Sequence, residues 1–223
     1  MGKLNIRYGN RFYDACVNPM SFYKDGAWHS LKDGDHIFFN GEWQELTCNT
    51  IILNPFDYAV LSYQLMPGGG QDLDTFTGMY DNGTIYDNTY VGFGQGSKIP
   101  NNSTNPFLTW GGDNTSNNGV ESVLVNFNAI SEEFPDLETI KIRMNAVWYS
   151  SKGTGDIQVA LKTYLGGTMQ QNGYDFVNIG GDIVDNFTIY RNVQVQSHNA
   201  NINQSSNVGN VTYDVETKQA MLI

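Results

Sequence analysis

The chain has 223 residues, a formal net charge of −11, 40% hydrophobic and 13% aromatic residues, and only 16% charged ones. That length allows one large domain or a main domain with a small appendage, and the apolar share is enough for a buried core, unlike a typical disordered chain. The 12 Lys and Arg residues are scattered, which excludes the basic face needed for duplex or anionic-membrane binding, and no apolar run reaches the ~20 residues of a spanning helix.

The polar character comes from Asn, Gln, Ser, Thr and 24 Gly rather than from charge. Such a composition favours strands joined by turns over long helices. The start, MGKLNIRYGN, carries no apolar stretch of the signal-peptide kind. Cys16 and Cys48 form no Cys-x-x-Cys motif. Two reduced, buried thiols are expected, with one disulfide as the alternative.

Residues 1–50 read as a small β segment of their own. They hold a short repeat, Asp25-Gly26-Ala27-Trp28-His29-Ser30-Leu31 and Asn40-Gly41-Glu42-Trp43-Gln44-Glu45-Leu46. Asp-Gly and Asn-Gly suit the positive φ of tight turns, so two turn-and-strand units are predicted. Two small strands are not stable alone, so this segment should pack on the main domain or on a neighbouring subunit. Trp28, Trp43, Phe12, Tyr13 and Phe22 are candidate partner-binding anchors; covering the protein's own core is the equal alternative.

Residues 51–223 read as an antiparallel β-sandwich. Tyr58 to Leu65, Phe76 to Tyr80 and Val120 to Phe127 are strand candidates. Ser131 to Leu137 resembles a helical turn capped by Ser131 and limited by Pro135. In 139–148, Ile140, Ile142, Met144, Ala146 and Trp148 share one face, and Lys141, Arg143 and Asn145 the other. Residues 157–162 and 187–195 alternate similarly, and 211–215 is a last strand after a polar loop or arm at 197–210. Asp81-Asn82-Gly83 and Asn172-Gly173 mark turns.

No motif for catalysis stands out. The histidines, His29, His36 and His198, sit beside no Ser, Cys or carboxylate constellation, and Gly-x-Ser-x-Gly, His-Glu-x-x-His and P-loop patterns are absent. Gly92-Phe93-Gly94-Gln95-Gly96 precedes no helix-forming run and reads as a loop or bulge. The oxygen-rich segments are more suggestive: Asp72-Leu73-Asp74, and Gly112-Asp113-Asn114 followed by Glu121. Calcium takes several carboxylate, amide and carbonyl oxygens, which these stretches supply. Alternatively, the Asp and Asn residues only shape turns through side-chain-to-backbone bonds. Trp110, with Tyr86 and Tyr90, suggests a sugar-stacking site, against simple packing.

Those acidic segments, with Pro135 and the strand 140–148, resemble the TerD (tellurium-resistance, stress-response) domain over roughly residues 58–195. The resemblance implies a TerD-like β-sandwich binding calcium, with Asp72, Asp74, Asp113, Asn114 and Glu121 at the matching positions. The acidic run usual after Gly-Asp-Asn is replaced here by Thr115-Ser116-Asn117-Asn118, so fewer carboxylates are on hand. The Trp-turn repeats, Asn/Thr/Gly-rich strands and polar tail are similar in texture to bacteriophage virion proteins: capsid decoration proteins, head fibres and tail modules. That likeness implies a virion location, other virion proteins as partners, an oligomeric assembly and no enzymatic activity. A stress protein that binds calcium and a carbohydrate-binding module with a glycan partner are the alternatives.

Overall fold

The computed structural model describes residues 21–24, 27–30, 36–39, 42–45, 51–65, 72–79, 89–116, 119–149, 153–198 and 202–222. The two Trp repeats form two hairpins of the same design. Strand β1 (Ser21–Lys24) pairs with β2 (Ala27–Ser30), and β3 (His36–Phe39) with β4 (Glu42–Glu45). The dipeptides between the strands of each pair, Asp25-Gly26 and Asn40-Gly41, lie outside the described residues. Each register sets a Trp opposite an aromatic residue: Tyr23 opposite Trp28, and Phe38 opposite Trp43. Phe12 and Tyr13 lie outside the described residues, as do Cys16, Cys48 and the turn at 81–83.

The strands that follow are β5 (Ile51–Leu53), β6 (Tyr58–Leu65), β7 (Leu73–Met79), β8 (Thr89–Gly92), β9 (Lys98–Ile99), β10 (Leu108–Trp110) and β11 (Val120–Asn126). After helix α1 (Phe127–Glu133) come β12 (Thr139–Tyr149), β13 (Gly155–Leu165), β14 (Thr168–Asn172), β15 (Asp175–Ile179), β16 (Asp182–Val193), β17 (Gln196–Ser197), β18 (Ser206–Asp214) and β19 (Ala220–Leu222). All of these strands but β14 and β15, which pair with each other, build two packed sheets, as the alternation predicts. One is antiparallel in the order β16-β13-β6-β11-β10-β9; the other runs β5-β19-β18-β12-β7-β8, with β17 added in parallel on β12. The architecture is sandwich-like and mostly β.

Period-two alternation explains the core. From β6, Ala59, Leu61, Tyr63 and Leu65 enter the main cluster, where they meet the predicted inner face of β12, including Met144 and Trp148. The fully buried Trp148 donates its indole N–H to the Val193 carbonyl at 2.9 Å, tying β12 to β16 across the sandwich. Phe127 stacks on Tyr213 at 4.2 Å between centroids, and Phe56 meets both edge-on.

The helix begins earlier than predicted. Its N-cap is Asn126, whose side-chain oxygen accepts from the Ala129 N–H at 3.0 Å. Ser131, expected as the cap, lies inside the helix and donates to the Phe127 carbonyl at 2.8 Å. An Asn at the end of an apolar strand is as good a cap as a Ser, and its oxygen reaches a free N–H of the first turn. The polar stretch 197–210 is also less open than expected. It holds a short 3₁₀ turn at Ile202–Gln204, and β18 starts at Ser206.

Hairpin β14–β15 folds over the outer face of the six-stranded sheet. There Phe176 packs with Val60 and Tyr164, beside Tyr58, Leu124 and Met169. Its tip sits against Gly111: a Cβ on Gly111 would lie 2.3 Å from the Tyr174 carbonyl oxygen, and Gln171 Nε2 donates to the Gly111 carbonyl at 2.9 Å. No side chain fits between two backbones this close. Gly111→Ala should therefore destabilise the fold by about 1–3 kcal/mol through overpacking. Hydrogen exchange should show the loss concentrated in residues 168–179, and protection there equal to that of the unchanged protein would refute the contact.

Candidate functional site

The predicted metal-ligand residues lie where β7, beside edge strand β8 of one sheet, comes near the loop between β10 and β11 of the other. Alternation along β7 decides which way each side chain points. Leu73 and Met79 belong to the main core, and Thr77 meets the core residue Tyr63 through a 2.6 Å hydroxyl contact. Thr75 points the same way and donates to Glu121 Oε2 at 2.5 Å. Phe76 faces the opposite side, where it packs with Tyr90, Val147 and Ile202. Asp74 shares the face of Phe76 and pairs in register with Val147.

Glu121 is thus a tie between sheets. It sits on the core face of β11, with Val123 and Val125. Besides Thr75, its Oε2 accepts from the Trp110 indole N–H at 3.4 Å, and its Oε1 accepts from the Asn114 backbone N–H at 3.1 Å. Burial pushes its pKa up to about 8 against the lowering effect of the Thr75 and Asn114 bonds, and the charges of Asp113 and Asp74 add to the rise.

Asn114 shapes the loop. Its side-chain oxygen accepts from the Ser116 N–H at 3.1 Å, and its Nδ2 donates to the Val120 carbonyl at 3.2 Å. This is the side-chain-to-backbone role that turn chemistry assigns to Asn. Asp113 beside it is exposed. A second close approach fixes the neighbouring edge. Gly92 has φ 134°, and a Cβ there would fall 1.9 Å from the Thr75 carbonyl oxygen. The glycine-rich segment after it is a turn closed by Gly92 N–H to the Gly96 carbonyl at 3.1 Å, as predicted.

Asp74 is the unusual member. It is 1% exposed, and its Oδ2 accepts no hydrogen bond. Burial first, then the charges of Asp72 and Asp113, push its pKa up to about 7. Asp72 precedes the strand with φ 66°, so it is not part of the extended run that the two-residue spacing assumed. The structure therefore brings Asn114 and Glu121 into direct contact. It sets Asp74 on the other face of β7, within electrostatic reach of Asp72 and Asp113. Among the described residues, no three His, Cys, Asp or Glu side chains gather as a ready ligand shell.

Trp110 is half-buried, packs on the core and spends its N–H on Glu121. Tyr90 is buried in the outer cluster, which leaves its ring no face for a sugar; Tyr86 lies outside the described residues. The sequence reading missed Thr75 and Gly92 as partners of the site. Thr75 adjoins Asp74 in sequence, and its role followed only from the alternation that sends it to the opposite face. No protein-family model, curated protein or solved structure matches the chain.

The raised pKa values make stability depend on pH. In the folded state Asp74 and Glu121 hold their protons to about pH 7 and about pH 8, above their ordinary values of 3.8 and 4.5. Their stabilising contribution is complete below the unfolded values and is lost as pH rises through the folded ones. In chelator, the urea midpoint should fall as pH rises from about 4 to about 8, with a total loss on the order of several kcal/mol. Asp74→Asn should remove the part of that fall that ends near pH 7, and Glu121→Gln the part that continues to about pH 8. A midpoint constant across the range would contradict both assignments.

Proposed function

We propose that this chain is a structural protein of the bacteriophage-virion type, an auxiliary capsid, decoration or head/tail attachment component that works by assembly. The observation that carries this reading is the placement of exposed apolar side chains. Of the eight exposed large hydrophobic side chains among the described residues, Leu165, Tyr174, Val177, Ile179, Ile183 and Tyr190 belong to β13, hairpin β14–β15 or edge strand β16, and Phe93 and Val195 lie elsewhere. Apolar surface concentrated on one region of a protein otherwise rich in polar side chains marks a contact surface. The two identically registered Trp hairpins give a second, separate segment suited to docking.

In this reading, residues 1–50 attach to the capsid or to a neighbouring subunit, and the sandwich faces outward or bridges subunits. The genes on either side of the coding sequence should encode capsid, portal or terminase proteins. Co-expressed with those products, the full chain should enter the assembled particle, and residues 51–223 alone should not. A truncated chain that assembles as well as the full one would overturn the docking role.

A second reading, a calcium-binding protein of the TerD type, is favoured by one observation. The buried, unpartnered Asp74 Oδ2 lies under the charges of Asp72 and Asp113. A hard cation there would satisfy that oxygen and relieve the repulsion. Calorimetric titration with calcium should then show binding that Asp74→Asn weakens at least about tenfold. Heat release unchanged by the substitution, or none at all, would dismiss a calcium ion at Asp74.

A further inference from the structure

We propose that the Lys218 amine joins the Asn128 side chain in an isopeptide bond, formed by the folded chain itself with Asp57 carrying the proton. This modification goes beyond the assembly reading and does not rest on it.

Three elements bring the groups together. Asp57 immediately precedes β6, Asn128 lies in the first turn of α1, and Lys218 sits in the turn between β18 and β19. Lys218 Nζ donates to Asp57 Oδ1 at 2.6 Å and to Asn128 Oδ1 at 3.3 Å. Asn128 also hydrogen-bonds Asp57, so amine, amide and carboxyl are all in mutual reach. Backbone bonds lock the arrangement: the Phe56 N–H donates to the Lys218 carbonyl at 3.0 Å, and the Phe127 N–H to the Asp57 carbonyl at 3.1 Å. Phe56 and Phe127, next in sequence to Asp57 and Asn128, are anchored in the buried ring cluster with Tyr213. Lys218 holds φ 56°, a left-handed conformation in which glycine or asparagine is less strained. Strain of this kind is kept where the side chain has a role.

An ion pair needs only Lys218 and Asp57; Asn128 adds an acyl carbon beside the amine. Asp57 Oδ2 accepts from the Gly166 N–H at 2.8 Å, which fixes the carboxyl with Oδ1 toward Lys218. Burial raises the Asp57 pKa, but the bonds from Lys218, Gly166 and Asn128 and the charge of Lys218 together hold it below its ordinary value. Asp57 therefore starts ionised, as a base within proton-transfer distance of Nζ. A proton passes from Nζ to Asp57, and the neutral amine attacks Asn128 Cγ, forming the Nζ–Cγ bond. Asp57 relays protons to Nδ2, the Cγ–Nδ2 bond breaks, and ammonium leaves. Nζ loses two protons and Nδ2 gains two, so Asp57 ends as it began. The fold supplies the proximity that a free amine and amide lack. Asp57 is buried and Lys218 only partly so, which gives the leaving ammonia a path to water. The bond would staple α1, which follows β11 of one sheet, to the β18–β19 turn of the other, and would constrain the unfolded chain.

Intact mass spectrometry tests this on the full chain, folded at neutral pH until its mass is constant and then denatured. The mass should lie one ammonia below that of the sequence, and trypsin should release a branched peptide joining Lys218 to Asn128. Lys218→Arg keeps the ion pair without the amine, and Asn128→Ala removes the acyl group; both should show the full mass. Asp57→Asn, with circular dichroism unchanged, should form the bond at least about tenfold more slowly. An unsubstituted chain at full mass overturns the proposal. So does an ammonia loss that persists in Lys218→Arg, which would place the release at another asparagine such as Asn172 before Gly173. Bond formation undiminished in Asp57→Asn would overturn the part given to Asp57.

Discussion

Side chains on an extended strand point alternately to its two sides, and on β7 both sides are covered. All seven residues of Leu73–Met79 are buried. Thr75 and Thr77 look into the sandwich, and Asp74 and Phe76 look toward the outer cluster. That alternation sorts the polar chemistry of the molecule. A hydroxyl on the inner side meets the carboxyl of Glu121 from the facing sheet. A carboxyl on the outer side is buried with one oxygen unsatisfied. A slip of one residue would exchange the two sets, placing Asp74 in the core and Thr75 outside. Register along β7 is therefore held by the cost of that exchange.

The two buried carboxyls answer the same problem differently. Removing a carboxylate from water is costly unless donors or a cation replace the lost solvation. Glu121 is supplied with donors from three elements: Thr75 on β7, Trp110 on β10 and the Asn114 backbone in the loop. With its pKa near 8, it is mostly neutral at pH 7 and joins the sheets as a hydrogen-bonding group without the full penalty of a buried charge. Asp74 has no such set of donors, and the charges near it are of its own sign. A proton or a cation is what would balance it.

The strands were readable in the sequence because burial on one face leaves a period of two. Residues 139–144 carry that period plainly, in a central strand, whereas 58–65, also central, is buried on both faces from Ala59 to Tyr63 and reads as an apolar run instead. Hairpin β14–β15 was not readable as strands beyond its Asn-Gly turn. It covers an outer face with scattered residues such as Met169 and Phe176, so its apolar pattern is sparse. The helix start was misplaced because Asn126 both ends a strand and caps a helix, a double role that local propensity does not separate. At the site, the residue types were legible and their directions were not. Asp72 and Asp74 share an interval of two, but a positive φ at Asp72 breaks the extended geometry that such an interval assumes.

The charge of the chain bears on how its surfaces can associate. A net charge of −11 repels a second copy at long range, most strongly at low salt. Non-specific sticking through Ile183 or Tyr190 is opposed by that field. Contact between copies is favoured only where local pairing overcomes it. Along β16 the acidic and the basic residue, Asp185 and Arg191, are spent within the chain: Asp185 accepts from the Asn54 N–H at 2.9 Å, and Arg191 Nε donates to the Val208 carbonyl at 3.0 Å. Edge strand β16 thus keeps its charges turned toward the facing sheet, where they hold the sandwich together and disfavour further pairing on the open edge.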